Sequence, residues 1–232
     1  MSHPARTVSK DESNLVTVIG EAYFQPIADL VERWLRRSPP PAPNKIQSGF
    51  YENGYAASVV LLLVAMFESY VSRLRFLQDA KGEPVPTTKR NAAEVVRHVF
   101  PRLRHKKALK EVYVLRDVLI HSHLWEIDYQ YGGSHPMVLK RPTMSRASGD
   151  NKYHARVNPM THRTKALRAS ALPTRINRTD VRKVFDTVWK TLLRFERVYP
   201  NRFAISNQHV RFRGKHMRFD ELRNLLNTTG VP

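Results

Sequence analysis

Apolar residues recur at three- and four-residue spacing from about 13 to 37: Leu15, Val18, Ile19, Tyr23, Ile27, Leu30, Val31, Trp34 and Leu35. That period matches the turn of an α-helix and predicts an amphipathic one. "SPPPAP" at 38–43 stops it, because proline cannot continue a helix and stiffens the residues after it. The next apolar run starts within ten residues, so the prolines read as a rigid connector rather than a domain boundary.

The second run, about 50–80, is the most hydrophobic. "YAASVVLLLVAMFESYVSRLRFLQ" is apolar on nearly all faces in its first half, which predicts the central helix of a bundle. "KGEPVPTT" breaks it. A shorter helix is predicted over 89–100, capped by Thr87 or Thr88 and ending before Pro101. A fourth is predicted over about 106–130, ended by Gly132 and Gly133.

Periodicity is lost from 134 to 178, where basic residues accumulate and Asp150 is the one acid. A stretch that long is not a neutral connection; it is either disordered or ordered by an anionic ligand. A fifth helix, about 179–199, is predicted from an N-cap at Thr179 with Asp180 in the first turn. In "HVRFRGKHMRF" apolar and polar residues alternate, which predicts a short extended piece or hairpin around Gly214, and "FDELRNLLNTTG" gives a small final helix. The expected fold is an all-α bundle in one domain over 1–232. Its core is 50–130 and 179–199, with an N-terminal helix at 13–37, a basic loop at 134–178 and a tail at 205–228.

Charge changes the picture most. Lysine and arginine number 39 against 20 acidic residues, a net charge of +19. A field of that sign collects polyanions, nucleic acid above all, although an acidic protein partner or simple solubility would also account for it. There is no cysteine, which removes disulfides, thiol catalysis and cysteine-ligated zinc, and suits a reducing cytoplasm. "MSHPARTVSKDESN" is polar throughout, unlike a secretory signal. The longest apolar run, 56–67, is shorter than the ~20 residues that cross a bilayer. These features together predict a soluble, cytoplasmic protein without a membrane partner. Phosphate-loop, GxGxxG, HExxH and GxSxG patterns are absent.

"LRDVLIHSH" at 115–123 holds an arginine and a histidine at R-x4-H spacing, Arg116 and His121. Chance alone places about one such pair in a chain with 26 arginines and 10 histidines over 232 residues, and a second, Arg211 with His216, spans a glycine outside any predicted helix. Context distinguishes the first. It lies late in an amphipathic helix, a polar residue (Asp117) follows the arginine, and a long buried helix carrying Glu68 in "MFESYVSRL" precedes it.

The order "FESYVSRL", spacer helix, "LRDVLIHS", loop and final helix resembles the HEPN family, bundle proteins with an R-x4-6-H motif whose arginine is followed by a polar residue. The resemblance covers roughly residues 50–200. It implies metal-independent endoribonuclease activity, no cofactor, and a homodimer in which two motifs form one composite site. By analogy alone it also implies a toxin or phage-defence setting, with a possible antitoxin or regulatory partner. Cleaving RNA without metal needs a base for the 2′-hydroxyl, an acid for the leaving 5′-oxygen and positive charge on the phosphate. Histidine can do either proton transfer near neutral pH, and arginine can hold a phosphate through two N–H groups.

At about 100° per residue, Asp117 and His121 share a helix face, while Arg116 lies about 140° from His121. The two motif residues therefore converge only if two helices pair about a two-fold axis. The resemblance implies His121 as acid or base, Arg116 as phosphate clamp and Asp117 as the residue orienting His121, roles that the spacing permits only at such an interface. A surface pair between Asp117 and His121 fits the same spacing. His123 lies near the Arg116 face and could assist substrate binding; "HSH" is a poor zinc site. Glu68 could bridge to Arg116 and preset it, or be an exposed helix acid. Tyr70, Trp125 and Tyr129 read mainly as packing aromatics, and Tyr131, in a turn, as a candidate for stacking on bases. Lys140, Arg141, Arg146, Lys152, Arg156, Arg163, Lys165 and Arg168 of the basic loop are expected to hold RNA phosphates. The substrate expected is tRNA or another structured or single-stranded RNA. Two alternatives compete: a non-catalytic RNA- or DNA-binding bundle, and a toxin-like subunit whose charge matches an acidic protein.

Overall fold

The computed structural model describes residues 19–41, 51–89, 91–120, 125–129, 137–142 and 151–227. A 3-10 turn, Ile19–Tyr23, runs into helix α1, Phe24–Arg37. Pro26 stands in the first turn of α1, where its missing N–H would have had no helical partner. Helix α2, Glu52–Ala80, packs against α1, α3 (Ala92–Val99), α4 (Lys106–Ile120) and α6 (Arg178–Val198), and so is the central element. By length and composition α2 could also cross a bilayer; in this fold Val59, Val60, Leu63, Val64, Phe67 and Leu74 along it are buried in the common core.

Aromatic contacts knit the core. Phe24 meets Phe219 edge-on at 4.5 Å, and Phe195 stacks on Phe100 at 5.5 Å. Gly20 marks a close approach of the first turn to α2: a Cβ there would stand 2.9 Å from the Tyr70 ring and 3.0 Å from the Met66 carbonyl. Its N–H donates to Ser69 Oγ at 2.8 Å.

Several boundaries differ from the sequence expectation. Helix α3 is capped by Asn91, whose side chain accepts from the Glu94 N–H at 2.9 Å, not by Thr87 or Thr88. Helix α6 is capped by Asn177 rather than Thr179: Asn177 and Asp180 bond each other's backbone N–H, a reciprocal capping box. The fourth helix ends at Ile120, not near 130. Trp125–Tyr129 is strand β1, paired antiparallel with β2, Met137–Pro142, with an irregularity between Glu126 and Ile127. "WEIDY" is rich in β-branched and aromatic residues, which favour a paired strand over a frayed helix end.

The stretch expected to be an aperiodic basic loop carries β2, a short helix α5 (Asn151–Arg156) and two isolated bridges, Val157 with Thr164 and Arg163 with Ser170. Its Val157, Leu167, Ala169, Ala171 and Ile176 join the core. The residue that fixes it is remote in sequence. Glu111 of α4, only 2% exposed, accepts from the backbone N–H groups of Ala166 and Leu167 at 2.8 and 2.6 Å. At the C-terminus, β3 (His209–Phe212) and β4 (Lys215–Arg218) form a hairpin around Gly214, whose positive φ suits the turn. A 3-10 turn, Phe219–Glu221, and helix α7, Leu222–Leu225, complete the described chain.

Candidate nucleic-acid interface and the Arg116 cluster

Leu109, Val112, Leu115 and Val118 turn one face of α4 into the core, which leaves Arg116 at the boundary between core and solvent. From α2, Glu68 meets it there. Arg116 Nη1 donates to Glu68 Oε1 at 2.8 Å, and its Nη2 and Nε donate to Asp117 Oδ1 at 2.7 and 3.0 Å. The guanidinium also lies 5.1 Å from the centroid of the buried Tyr113 ring. Burial works against the charge on Arg116, but the Asp117 bond and the nearby Asp117 and Glu68 carboxylates outweigh it and hold the guanidinium above its ordinary value. Burial first, then the charge of Glu68, pushes the Tyr113 hydroxyl well above its usual range, so it stays protonated.

Of the two options for Glu68, the cross-bundle bridge to Arg116 is the one the structure contains. Asp117 is engaged with Arg116 itself, a pairing that helix spacing alone does not suggest. His121 and His123 lie outside the described residues. Among the described residues no group of three or more histidine or acidic side chains is placed to hold a metal ion.

Arg116 stands at one end of a basic surface. A recess of about 110 Å³, lined by Asn91, Glu94, Lys110, Tyr113, Arg116, Asp117 and Arg156, adjoins a groove of about 580 Å³ that shares Lys110 and Arg156 with it. The groove presents Arg97 from α3, Lys106, Lys107 and Lys110 from α4, Arg156 from α5 and Lys165 from the segment beyond it. Its one carboxylate, Glu111, is already committed to the Ala166 and Leu167 amides. Lys106, Lys110, Tyr113 and Asp117 follow one another at three- and four-residue intervals along a single stripe of α4. At 1.5 Å per residue this stripe is about 16 Å long. Burial first, then the neighbouring Arg97 and Arg156, lowers the pKa of Lys110, while Glu94 acts in the opposite direction.

The basic-loop residues divide. Arg156 and Lys165 line the groove. Arg163 is instead turned to the fold, donating to the Arg168 carbonyl at 2.9 Å and lying 3.5 Å from the buried Asp180 carboxylate. Arg168 is exposed, in a left-handed backbone conformation. Arg146 and the side chains of Lys140, Arg141 and Lys152 fall outside the described residues, as do Tyr131 and the side chains of Trp125 and Tyr129. Tyr70 is fully buried between the first turn and Phe203, so it packs rather than stacks on a base. Sequence reasoning passed over Arg97, Lys106, Lys107 and Lys110. For the three lysines the signal was present in "PRLRHKKALK" at 101–110, a run dense in cations a few residues before the motif. Comparison with protein-family models, with curated proteins and with solved structures finds no match to this chain.

Proposed function

We propose that the protein is a metal-independent endoribonuclease of HEPN type, acting on tRNA or another structured or single-stranded RNA. The observation that carries the reading is the run of Lys106, Lys107, Lys110 and Arg156 leading to the Arg116 cluster. Phosphates of an RNA strand laid along these cations bring one scissile phosphate to the end of α4, where the motif begins. Arg116, fixed by Glu68 and Asp117, then neutralises charge developing on that phosphate, and His121 moves the proton between the 2′-hydroxyl, the leaving 5′-oxygen and solvent. A second copy supplies the second histidine that acid and base roles require. Ile120, half exposed immediately before His121, offers an apolar contact for that pairing.

A non-catalytic RNA-binding role is favoured by one specific feature. Two carboxylates surround the single guanidinium of Arg116, so the isolated cluster has no surplus positive charge for a phosphate. The two readings part in one experiment: tRNA and a single-stranded RNA are incubated with the protein in excess EDTA, beside His121→Ala. Cleavage lost in the variant, with RNA binding and oligomeric state retained, is the expected result. Binding without cleavage by the unmodified protein makes it an RNA binder.

A further inference from the structure

The turn between α3 and α4 also lines a separate cleft of about 490 Å³. Its floor is apolar: Val99, Phe100 and Leu103, with Phe100 stacked on Phe195 and Arg194 5.9 Å from the Phe100 ring centroid. Its rim is cationic: Arg102 and Arg104 from the turn, and Lys190, Arg194 and Arg197 from the C-terminal half of α6. All five are exposed, none makes an ion pair among the described residues, and no carboxylate lines the cleft. Five like charges converging on one concavity repel one another, and folding alone gives no reason to gather them there. His105 completes the wall. Its Nε2 lies 2.7 Å from Thr191 Oγ1, and that hydroxyl donates its own proton to the Thr187 carbonyl, so Nε2 carries the hydrogen.

We infer that this cleft is a second RNA-backbone site, which holds phosphates of the strand remote from Arg116. The inference rests on RNA being the ligand of the groove. Arg102 and Arg104 in the cleft are followed at once by Lys106 and Lys107 in the groove, so the turn forms a continuous basic ridge between them. One strand crossing that ridge engages both sites, with its scissile end about 16 Å further along α4. Apolar floor and cationic rim suit a strand that lays sugars and bases on the floor and phosphates on the rim.

Binding of a forty-nucleotide single-stranded RNA over a range of salt concentrations tests this. The variants are Arg194→Glu/Arg197→Glu in the cleft, Lys107→Glu/Lys110→Glu in the groove, and Arg33→Glu/Arg36→Glu on the exposed face of α1 as a control of equal charge change. The cleft variant should weaken binding tenfold or more and flatten the slope of log K against log salt by about one to two, since each phosphate contact contributes about 0.7. The control should change both far less. Cleft and control variants that weaken binding equally, or a cleft variant that binds like the unmodified protein, would overturn the second site, as would absence of RNA binding altogether. Binding that depends on the cleft but leads to no cleavage leaves the second site standing and removes only the ribonuclease reading.

Discussion

Glu68 of α2 and Arg116 of α4, 48 positions apart in the chain, are joined by a 2.8 Å hydrogen-bonded ion pair. The pair is partly exposed, so its contribution to stability is small, about 0–1 kcal/mol. Its consequence is orientation: one amino group of the guanidinium is held by the central helix, while Asp117 holds the other amino group and Nε.

Glu68→Gln should therefore change urea stability by less than ~1 kcal/mol while lowering RNA cleavage about tenfold, the effect of ~1.4 kcal/mol on a barrier. RNA affinity should not fall, since a negative charge has been removed. A variant that cleaves as well as the unmodified protein would show that the bridge does not position Arg116.

Glu111 makes a stronger prediction. It is buried, and its carboxylate accepts from two backbone amides of the basic insertion. Glu111→Ala leaves both amides without that partner, at a cost of about 1–3 kcal/mol each. Amide hydrogen exchange should accelerate at Ala166 and Leu167, and equilibrium unfolding should show the loss. Since Lys165 lines the groove beside Ala166, RNA affinity should fall with it. Unchanged protection at those two amides would contradict the anchoring role.

The element pattern was largely legible in the sequence where local period decides. The central helix is predicted at about 50–80 and observed at Glu52–Ala80, and the Gly214 hairpin follows from alternation and a turn residue. The α6 cap was missed although Asn177 and Asp180 stand at capping-box spacing, because Thr179 was the nearer candidate to the periodic run. What the sequence could not show is non-local. Glu111 holds the Ala166 and Leu167 amides within 151–177, and "WEIDY" pairs with "MVLKRP" further along the chain. At the candidate site the Glu68–Arg116 pairing was among the expectations. The Asp117–Arg116 bond was not, because side-chain direction within one helical turn is settled by what the opposite helix offers.

His105 gives a pH dependence with a definite sign. Burial, then the charge of Lys190, lowers its pKa below the ordinary 6.5, and Arg102, Arg104 and Arg194 share the cleft wall with them. The unfolded chain therefore takes up the proton first as pH falls, so this group's contribution to stability is complete above 6.5 and declines as pH drops toward the folded value. His105→Gln, which can keep a donor toward Thr191, should flatten the fall of unfolding free energy across that window. Bound RNA phosphate should raise the His105 titration, measurable by NMR. A midpoint at or above 6.5 in the free protein would contradict the burial account.

Ile120 bears on the dimer. Half exposed at the end of α4, it is expected to lie in the contact between two copies. Ile120→Asp should weaken self-association about tenfold or more by sedimentation, with little change in thermal stability of the single chain, and make cleavage steeply dependent on protein concentration. Self-association unaffected by the substitution would place the contact elsewhere.

The central claim, cleavage through the 2′-hydroxyl without metal, is tested most directly by end-group mass spectrometry of products formed in EDTA from one RNA and its fully 2′-O-methylated counterpart. The account predicts 2′,3′-cyclic phosphate and 5′-hydroxyl ends from the first and no cleavage of the second. Cleavage of both, or products ending in 3′-hydroxyl and 5′-phosphate, would contradict it.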